Sequence, residues 1–281
     1  MTTTSSWGQL YIVATPIGNL SDMVPRAIET LQQVSLIAAE DTRHSARLMD
    51  YFQIATPMTA YHDFSDNDKT EKLISSLKAG EDIALISDAG TPLISDPGYR
   101  LVQVARSEGI RVVPIPGACA LIAALSASGL PTDKFRFEGF LPAKATARVK
   151  TLESLKSSDA TLVFYEAPHR IVACLSDIAT TFGDQREVVV ARELTKTYET
   201  FLSGTVAEVA DKVQEDTNQQ KGEFVVMVGP GEQKLTEIDS DTERLMGYLL
   251  EELPLKKASV IAAKYTGLKK KQLYDWGLNR Q

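Results

Sequence analysis

Five short segments hold the residue types best suited to chemistry. The longest is Ser87-Asp88-Ala89-Gly90-Thr91-Pro92-Leu93-Ile94-Ser95-Asp96-Pro97-Gly98, in which two small-residue turns flank Leu93-Ile94 and each contains or follows an aspartate. Gly90 and Gly98 permit backbone angles closed to other residues, while Pro92 and Pro97 remove alternatives. Such a loop is a pre-organised wall of the kind a small-molecule site needs, and a rigid structural turn is the competing reading. Pro114-Ile115-Pro116-Gly117-Ala118-Cys119 opens an apolar helical stretch, whose first N–H groups can bind a carboxylate or another polar group. Tyr165-Glu166-Ala167-Pro168-His169-Arg170 offers an aromatic ring able to stack on a base, or simply a core ring with a solvated hydroxyl. Two charged clusters, Glu40-Asp41-Thr42-Arg43-His44-Ser45 and Arg192-Glu193-Leu194-Thr195-Lys196-Thr197-Tyr198, follow apolar runs directly. Core packing does not require charges there, although salt-bridged turns would also explain them.

Several chemistries are excluded. Ala14-Thr15-Pro16-Ile17-Gly18-Asn19-Leu20 occupies the strand-to-helix turn where a dinucleotide fold carries G-x-G-x-x-G, but those glycines are absent, as is any P-loop. That argues against NAD-dependent hydride transfer and NTP hydrolysis. Cys119 and Cys174 are too few for a disulfide framework, and their apolar neighbours predict buried thiols. His44, His62 and His169 are scattered, with no zinc-ligand spacing, so no metal is expected.

These loops need a scaffold, and the hydrophobic pattern supplies one. Strands are expected at 9–14, 35–40, 58–61, 83–87 and 112–115, with helices at 24–33, 45–51, 67–78, 99–107 and 118–128 between and after them. The last helix is apolar on every side and is expected to be buried. This alternation predicts a parallel sheet covered on both faces, with ligands at the carboxyl ends of its strands. Leu130-Pro131-Thr132-Asp133 reads as a boundary. Beyond it, strands at 135–141, 161–165, 187–191, 200–203 and 224–228 and helices at 146–156, 170–181 and 206–213 predict a mixed sheet. The expected fold class is therefore α/β, with a parallel-sheet domain over 9–129 and a mixed-sheet α/β domain over 130–231. Residues 232–241 read as a polar linker. Helical patterns at 242–252, 256–265 and 269–276 predict a module over 236–281 with helix-turn-helix rhythm, Tyr265 or Trp276 holding its small core.

The chain has 281 residues, 43% of them hydrophobic, which is ample for a core and near the upper limit for a single one. No apolar run approaches the ~18–20 residues that cross a bilayer. The first eight residues lack signal-peptide character, so a cytoplasmic location without membrane attachment is expected. From Lys256 onward, seven basic residues, Arg280 among them, face only Asp275, so the net −7 divides into +6 on this segment and −13 on the rest. An acidic body with a basic tail suggests a polyanionic partner held by the tail; a solvated helix face is the plainer alternative.

Taken in order, LYIVATPIGNLSD, AAEDTRHS, ISDAGTPLISDPG, VVPIPGACALIAAL, FYEAPHRI, ARELTKTYE and GEFVVMVGP resemble the tetrapyrrole-methylase superfamily of S-adenosylmethionine-dependent methyltransferases, and within it the ribosomal-RNA branch. The resemblance spans about residues 9–230 and the helical tail. It implies transfer of a methyl group to the 2′-hydroxyl of a cytidine ribose in the decoding region of 16S rRNA, free or within the small ribosomal subunit. It also implies a homodimer, and a cofactor folded into the cleft between two α/β domains. Carried over by motif, Pro16, Asp88, Ala89, Gly90, Thr91 and Ile94 lie beside S-adenosylmethionine. Ala118 and Cys119 are near its amino-acid or sulfur end, and Tyr165, Ala167 and Leu194 surround its adenosine. Members that act on small tetrapyrroles have a glycine-rich first loop; TPIGN here departs from it, in keeping with the RNA branch.

A sulfonium donor needs neither a metal nor a covalent enzyme intermediate. The protein must align ribose oxygen, methyl carbon and sulfur, and orientation of this kind can contribute ~7–11 kcal/mol. A base or polarising cation at the hydroxyl is typically worth ~10²–10⁴ in rate. The candidates are Glu40, Asp41, Arg43, Glu193 and Lys196, which the topology puts near the cleft. Phosphate contacts dominate RNA binding. Lys256, Lys257, Lys264, Lys269, Lys270 and Lys271 are the candidates for it, with Arg43, Arg148, His169 and Arg170 completing a basic rim. Two other readings are a small-molecule methyltransferase of the same fold and a non-catalytic RNA-binding assembly factor. The basic tail argues against the first and the shaped 87–98 loop against the second.

Overall fold

The computed structural model describes residues 7–62, 67–231 and 238–279; Arg280 and part of the expected linker lie outside the described residues. Alternating apolar runs and amphipathic stretches fold as β1 (Leu10–Val13), α1 (Pro25–Gln33), β2 (Leu36–Ala39), α2 (Thr42–Tyr51), β3 (Met58–Ala60), α3 (Asn67–Lys78), β4 (Ile83–Ile86), α4 (Tyr99–Ser107), β5 (Val112–Ile115) and α5 (Ala120–Ala127). The strands form a parallel sheet in the order β3-β2-β4-β1-β5. All four residues of β4 are buried, as a strand covered on both faces requires. Pro25 occupies the first turn of α1. Asp41 caps α2 by accepting from the N–H groups of Arg43 and His44, so that helix starts three residues before the point its periodicity suggested.

The chain continues through β6 (Phe135–Phe140), α6 (Ala145–Leu155), β7 (Thr161–Glu166), α7 (Ile171–Phe182), β8 (Glu187–Arg192), β9 (Thr200–Thr205), α8 (Val206–Glu215) and β10 (Phe224–Val228). Their sheet has the order β6-β7-β10-β8-β9, with β6 and β7 parallel and the other neighbours antiparallel. It is the mixed sheet expected. One face packs against α6, α7 and α8 through Leu152, Ile171, Leu175 and Val209, each fully buried. Burying a side chain of this size stabilises by about 1.5–3 kcal/mol.

The opposite face corrects one expectation. α5 is not buried all round: Ile122 is 50% exposed, and only Leu121, Ala124 and Leu125 are buried. That single face packs on Val163, Val189, Val225 and Met227 of the second sheet. A helix from the N-terminal side of residue 130 is thus part of the second sheet's core, and the residues through Gly231 form one compact unit. Cys174 is buried as expected, with its thiol pKa pushed up by burial and then by Glu166, but Cys119 is only partly buried.

A second compact unit begins at Glu232. It holds α9 (Ser240–Glu252), α10 (Leu255–Thr266) and α11 (Lys270–Leu278) around Met246, Leu255, Ala258, Ala262 and Leu273. Gly267, at φ +76°, ends α10 in the left-handed conformation. Trp276 packs at the edge of this core and donates to Glu243 Oε1 at 3.2 Å. Tyr265 does not hold the core; it is 83% exposed, because it lies on the outer face of α10. Among the described residues no helix is long and apolar enough to cross a membrane.

Candidate active site

The turns after β1, β2, β4 and β5 emerge at one end of the first sheet because all its strands run parallel. In the second sheet the ends of β6, β7 and β8 share an edge with the start of the reversed β10. These two edges border a cavity of about 380 Å³, within the usual range for small-molecule sites. Its walls include Glu40, Asp88, Ala89, Gly90, Thr91, Ile94 and Cys119 from the first half, and Tyr165, Ala167 and Leu194 from the second. Of the sequence candidates for the cofactor, Pro16 and Ala118 are adjacent in the chain to lining residues but do not line it themselves.

The 87–98 loop is held by hydrogen bonds to its neighbours. Thr15 and Gly90 exchange backbone hydrogen bonds of 2.9 and 3.0 Å, and the Thr91 hydroxyl donates to the Ala118 carbonyl at 2.9 Å. Asp88 Oδ1 accepts from the Asp41 N–H at 3.1 Å, while the Asp88 N–H donates to Glu40 Oε2 at 3.3 Å. Gly90 and Gly98 have φ of +82° and +129°, and Leu93 and Ser95 are also left-handed at +73° and +69°. Left-handed non-glycine residues cost on the order of 1–3 kcal/mol each and cluster at ligand sites. Across the cavity, Glu193 (φ +49°) and Thr195 (φ +66°) show the same strain.

Tyr165 joins the two halves. Its hydroxyl accepts from the Leu121 N–H at 3.1 Å, at the start of α5. One of the helix-start donors that the sequence offered to a ligand carboxylate is therefore already used. The Tyr165 ring meets Phe137 at 4.8 Å and Phe140 at 5.8 Å, and burial, then Cys119, raises the pKa of the phenol.

Charge in the cavity is acidic, with Glu40, Asp88 and Asp96 all on its wall. Burial, reinforced by Glu40 and Asp88 and opposed by a Ser87 hydrogen bond, pushes Asp96 up to about 6. Sequence reasoning singled out its loop but not Asp96 itself; the repeated Ser-Asp of the motif was the signal. Ile17, Phe140 and Glu223 also line the cavity unforeseen. A carboxylic acid whose folded pKa is raised destabilises the fold when ionised. Its penalty is absent below about pH 4 and complete above about pH 6. Asp96→Asn should therefore raise Tm at pH 7.5, by roughly 2–4 °C for each kcal/mol relieved, with the gain fading as the pH falls to 4. Thermal melts across that range check this, and a pH-independent difference would contradict it.

The five charged candidates fall into two groups, Glu40, Asp41 and Arg43 at the start of α2 and Glu193 with Lys196 in the loop after β8. Glu40 lines the cavity. Asp41 is the α2 cap and pairs with the exposed Arg43 at 3.2 Å, whose hydrogen bond holds the Asp41 carboxyl down at about 2. Lys196 Nζ bridges Glu193 Oε1 and Glu223 Oε2, each at 2.9 Å. Its stem lies over the first turn, where a Cβ on Gly18 would sit 2.5 Å from Lys196 Cγ. Lys196 thus ties the loop after β8 to the start of β10 and packs its stem on the turn after β1. The expected basic rim does not form. Arg148 is buried and paired with Asp177 at 2.6 Å, and Arg170 is drawn inward to Glu166 at 3.1 Å and to the carbonyls of Leu141 and Pro142. His169 and Arg43 are exposed.

In the second unit, Lys256, Lys257, Lys264, Lys269, Lys270 and Lys271 are all exposed, and none forms an ion pair among the described residues. Lys269, Lys270 and Lys271 stand at the start of α11, where the helix dipole disfavours cations by about 0.3–1 kcal/mol each.

Residues 9–210 match the family model described as tetrapyrrole (corrin/porphyrin) methylases. The chain belongs to this family. Residues 236–281 match a second model, described as the RsmI C-terminal HTH domain. Relatives of this tetrapyrrole methylase include the ribosomal RNA small subunit methyltransferase I of Pseudomonas aeruginosa, 54% identical over 98% of this chain and 99% of its own. The protein of the same name from Haemophilus influenzae is 52% identical over 96% of each. Among solved structures, diphthine synthase aligns with a TM-score of 0.62 at 13% identity, over 79% of this chain and 90% of its own. Uroporphyrin-III C-methyltransferase from Thermus thermophilus, complexed with S-adenosylhomocysteine, aligns at 0.53 and 17%, over 79% and 97%. At these identities the structures speak to the fold alone.

This tetrapyrrole methylase is a methyltransferase whose donor is S-adenosylmethionine. The cavity's chemistry fits that donor. Of the five carboxylates on the cavity wall, Glu166 and Glu223 pair with Arg170 and Lys196, and Glu40, Asp88 and Asp96 suit a molecule with sulfonium and ammonium charges. Ile17, Ile94, Leu194 and Tyr165 offer apolar surface for its adenosine.

Proposed function

We propose that this tetrapyrrole methylase methylates the 2′-hydroxyl of a cytidine ribose in the decoding region of 16S rRNA. The observation that carries this reading is the contrast between the acidic cavity and the six lysines exposed from Lys256 onward. An acidic cavity suits a cationic donor, and a helical module with six exposed lysines suits a polyanionic acceptor. The names of relatives about half identical over nearly the whole chain support the same substrate class. A cytoplasmic enzyme acting as a homodimer on free rRNA or the small subunit completes the reading.

S-adenosylmethionine, when bound, supplies a methyl carbon already activated on sulfur. Pro16 and the 88–94 wall would lie beside it, Cys119 and its chain neighbour Ala118 would be near its amino-acid or sulfur end, and Tyr165, Ala167 and Leu194 would surround its adenosine. Asp96, with Glu40 beside it on the same wall, takes up the proton that leaves the sugar hydroxyl; a carboxylate titrating near pH 6 is well matched to that task. Lys196, fixed by its pairs with Glu193 and Glu223, lays its stem against the turn after β1 and so positions the loop that carries Leu194. Lys256, Lys257, Lys264, Lys269, Lys270 and Lys271 engage phosphates.

Incubating the protein with methyl-labelled donor and either 16S rRNA or small-subunit particles tests the proposal. One cytidine should become resistant to alkaline cleavage, because its 2′-oxygen is blocked. Label found on a base, or no label in RNA or particle, would contradict it.

A further inference from the structure

β6 runs regularly beside β7 as far as Phe137, then shifts register between Phe137 and Gly139. Gly139 adopts φ +66°, and a Cβ there would come to 3.4 Å from Ser95 Oγ on the 87–98 loop. A bulge of this kind bends a strand and re-aims the residue after it. Here that residue is Phe140, which lines the cavity yet is 54% exposed. Of the other large apolar side chains on the wall, Ile17, Leu194, Phe224 and Val225 are buried and Ile94 is partly so. Tyr165 meets Phe140 at an interplanar angle of 66°, so the two rings are not stacked.

We propose that Phe140 is a stacking platform for a nucleobase of the acceptor strand, positioning the adjoining ribose at the cavity mouth. The inference rests on the RNA reading above. A nucleobase presents a flat π-face that aromatic side chains bind irrespective of sequence. The donor's adenine has the same chemistry. The acceptor is the assigned source because a polymer reaches the exposed ring, whereas a small donor can enter the buried part of the cavity.

The test uses the full chain with Phe140→Leu and Phe140→Trp, measuring the KM for 16S rRNA or particles, kcat, and donor affinity by calorimetry. Phe140→Leu should raise the RNA KM about 5- to 140-fold, which is ~1–3 kcal/mol of stacking converted at 1.4 kcal/mol per tenfold. Phe140→Trp should keep the KM at or below the wild-type value, and donor affinity should be unchanged in both. An unchanged RNA KM in Phe140→Leu, with wild-type transfer intact, overturns the platform and leaves the RNA reading standing. Donor affinity that weakens as much as the RNA KM reassigns the ring to the donor's adenine and overturns the proposal. Absence of any RNA methylation by the wild type removes both readings.

Discussion

Gly90→Val is expected to lose measurable donor binding while the protein stays folded. Gly90 sits at φ +82°, a conformation β-branched residues rarely adopt. A Cβ there would lie 3.2 Å from Ile17 Cγ2 and 3.7 Å from the Ala118 carbonyl, both on neighbouring turns of the same site. Relaxing the angle would break the paired hydrogen bonds to Thr15 that fasten the loop after β4 to the turn after β1. Losing them would misplace Asp88, Thr91 and Ile94 together. Titration calorimetry with S-adenosylmethionine reads the effect, and circular dichroism confirms the fold. Normal affinity in the variant would remove the 87–98 loop from the donor site.

Replacing Lys256, Lys257, Lys264, Lys269, Lys270 and Lys271 together with glutamine should flatten the salt dependence of RNA binding. Each phosphate contact on a single strand contributes about −0.7 to the slope of log K against log salt, so six should change it by roughly four. All six are exposed, and the three at the start of α11 oppose its dipole, so the module should not lose stability. Donor binding, which the proposal places in the first unit, should stay as it was. Filter binding from low to high salt measures the slope, and an unaltered slope would exclude the module from RNA recognition.

Local signals in the sequence were strong where one level of structure decided the outcome. Leu10–Val13, Ile83–Ile86 and Phe224–Val228 are short apolar runs between turn residues, and each became a buried or nearly buried strand. The strand-end loops were readable because glycine and proline mark backbone that other residues cannot follow, as Gly90 and Gly98 do. What was not readable was tertiary. The composition of α5 suggested burial on every side, but only packing against β7 and β10 determines that Ile122 faces outward. Arg148 and Arg170 count as rim cations by charge alone, yet Asp177 on α7 draws the first inward and Glu166, four residues earlier in the chain, draws the second. Asp96 and Phe140 join the cavity through a loop conformation and a strand bulge that no periodicity encodes. Tyr265 and Trp276 were interchangeable as module anchors until the helix faces were known.

A crystal structure grown with S-adenosylhomocysteine, at a concentration where calorimetry shows saturation, bears most directly on the strand-end cavity as the methyl-donor site. The ligand should lie between the 88–96 wall and Tyr165–Ala167, in contact with residues of both sheets. Ligand density on any other surface, or contacts to one sheet only, would contradict the account.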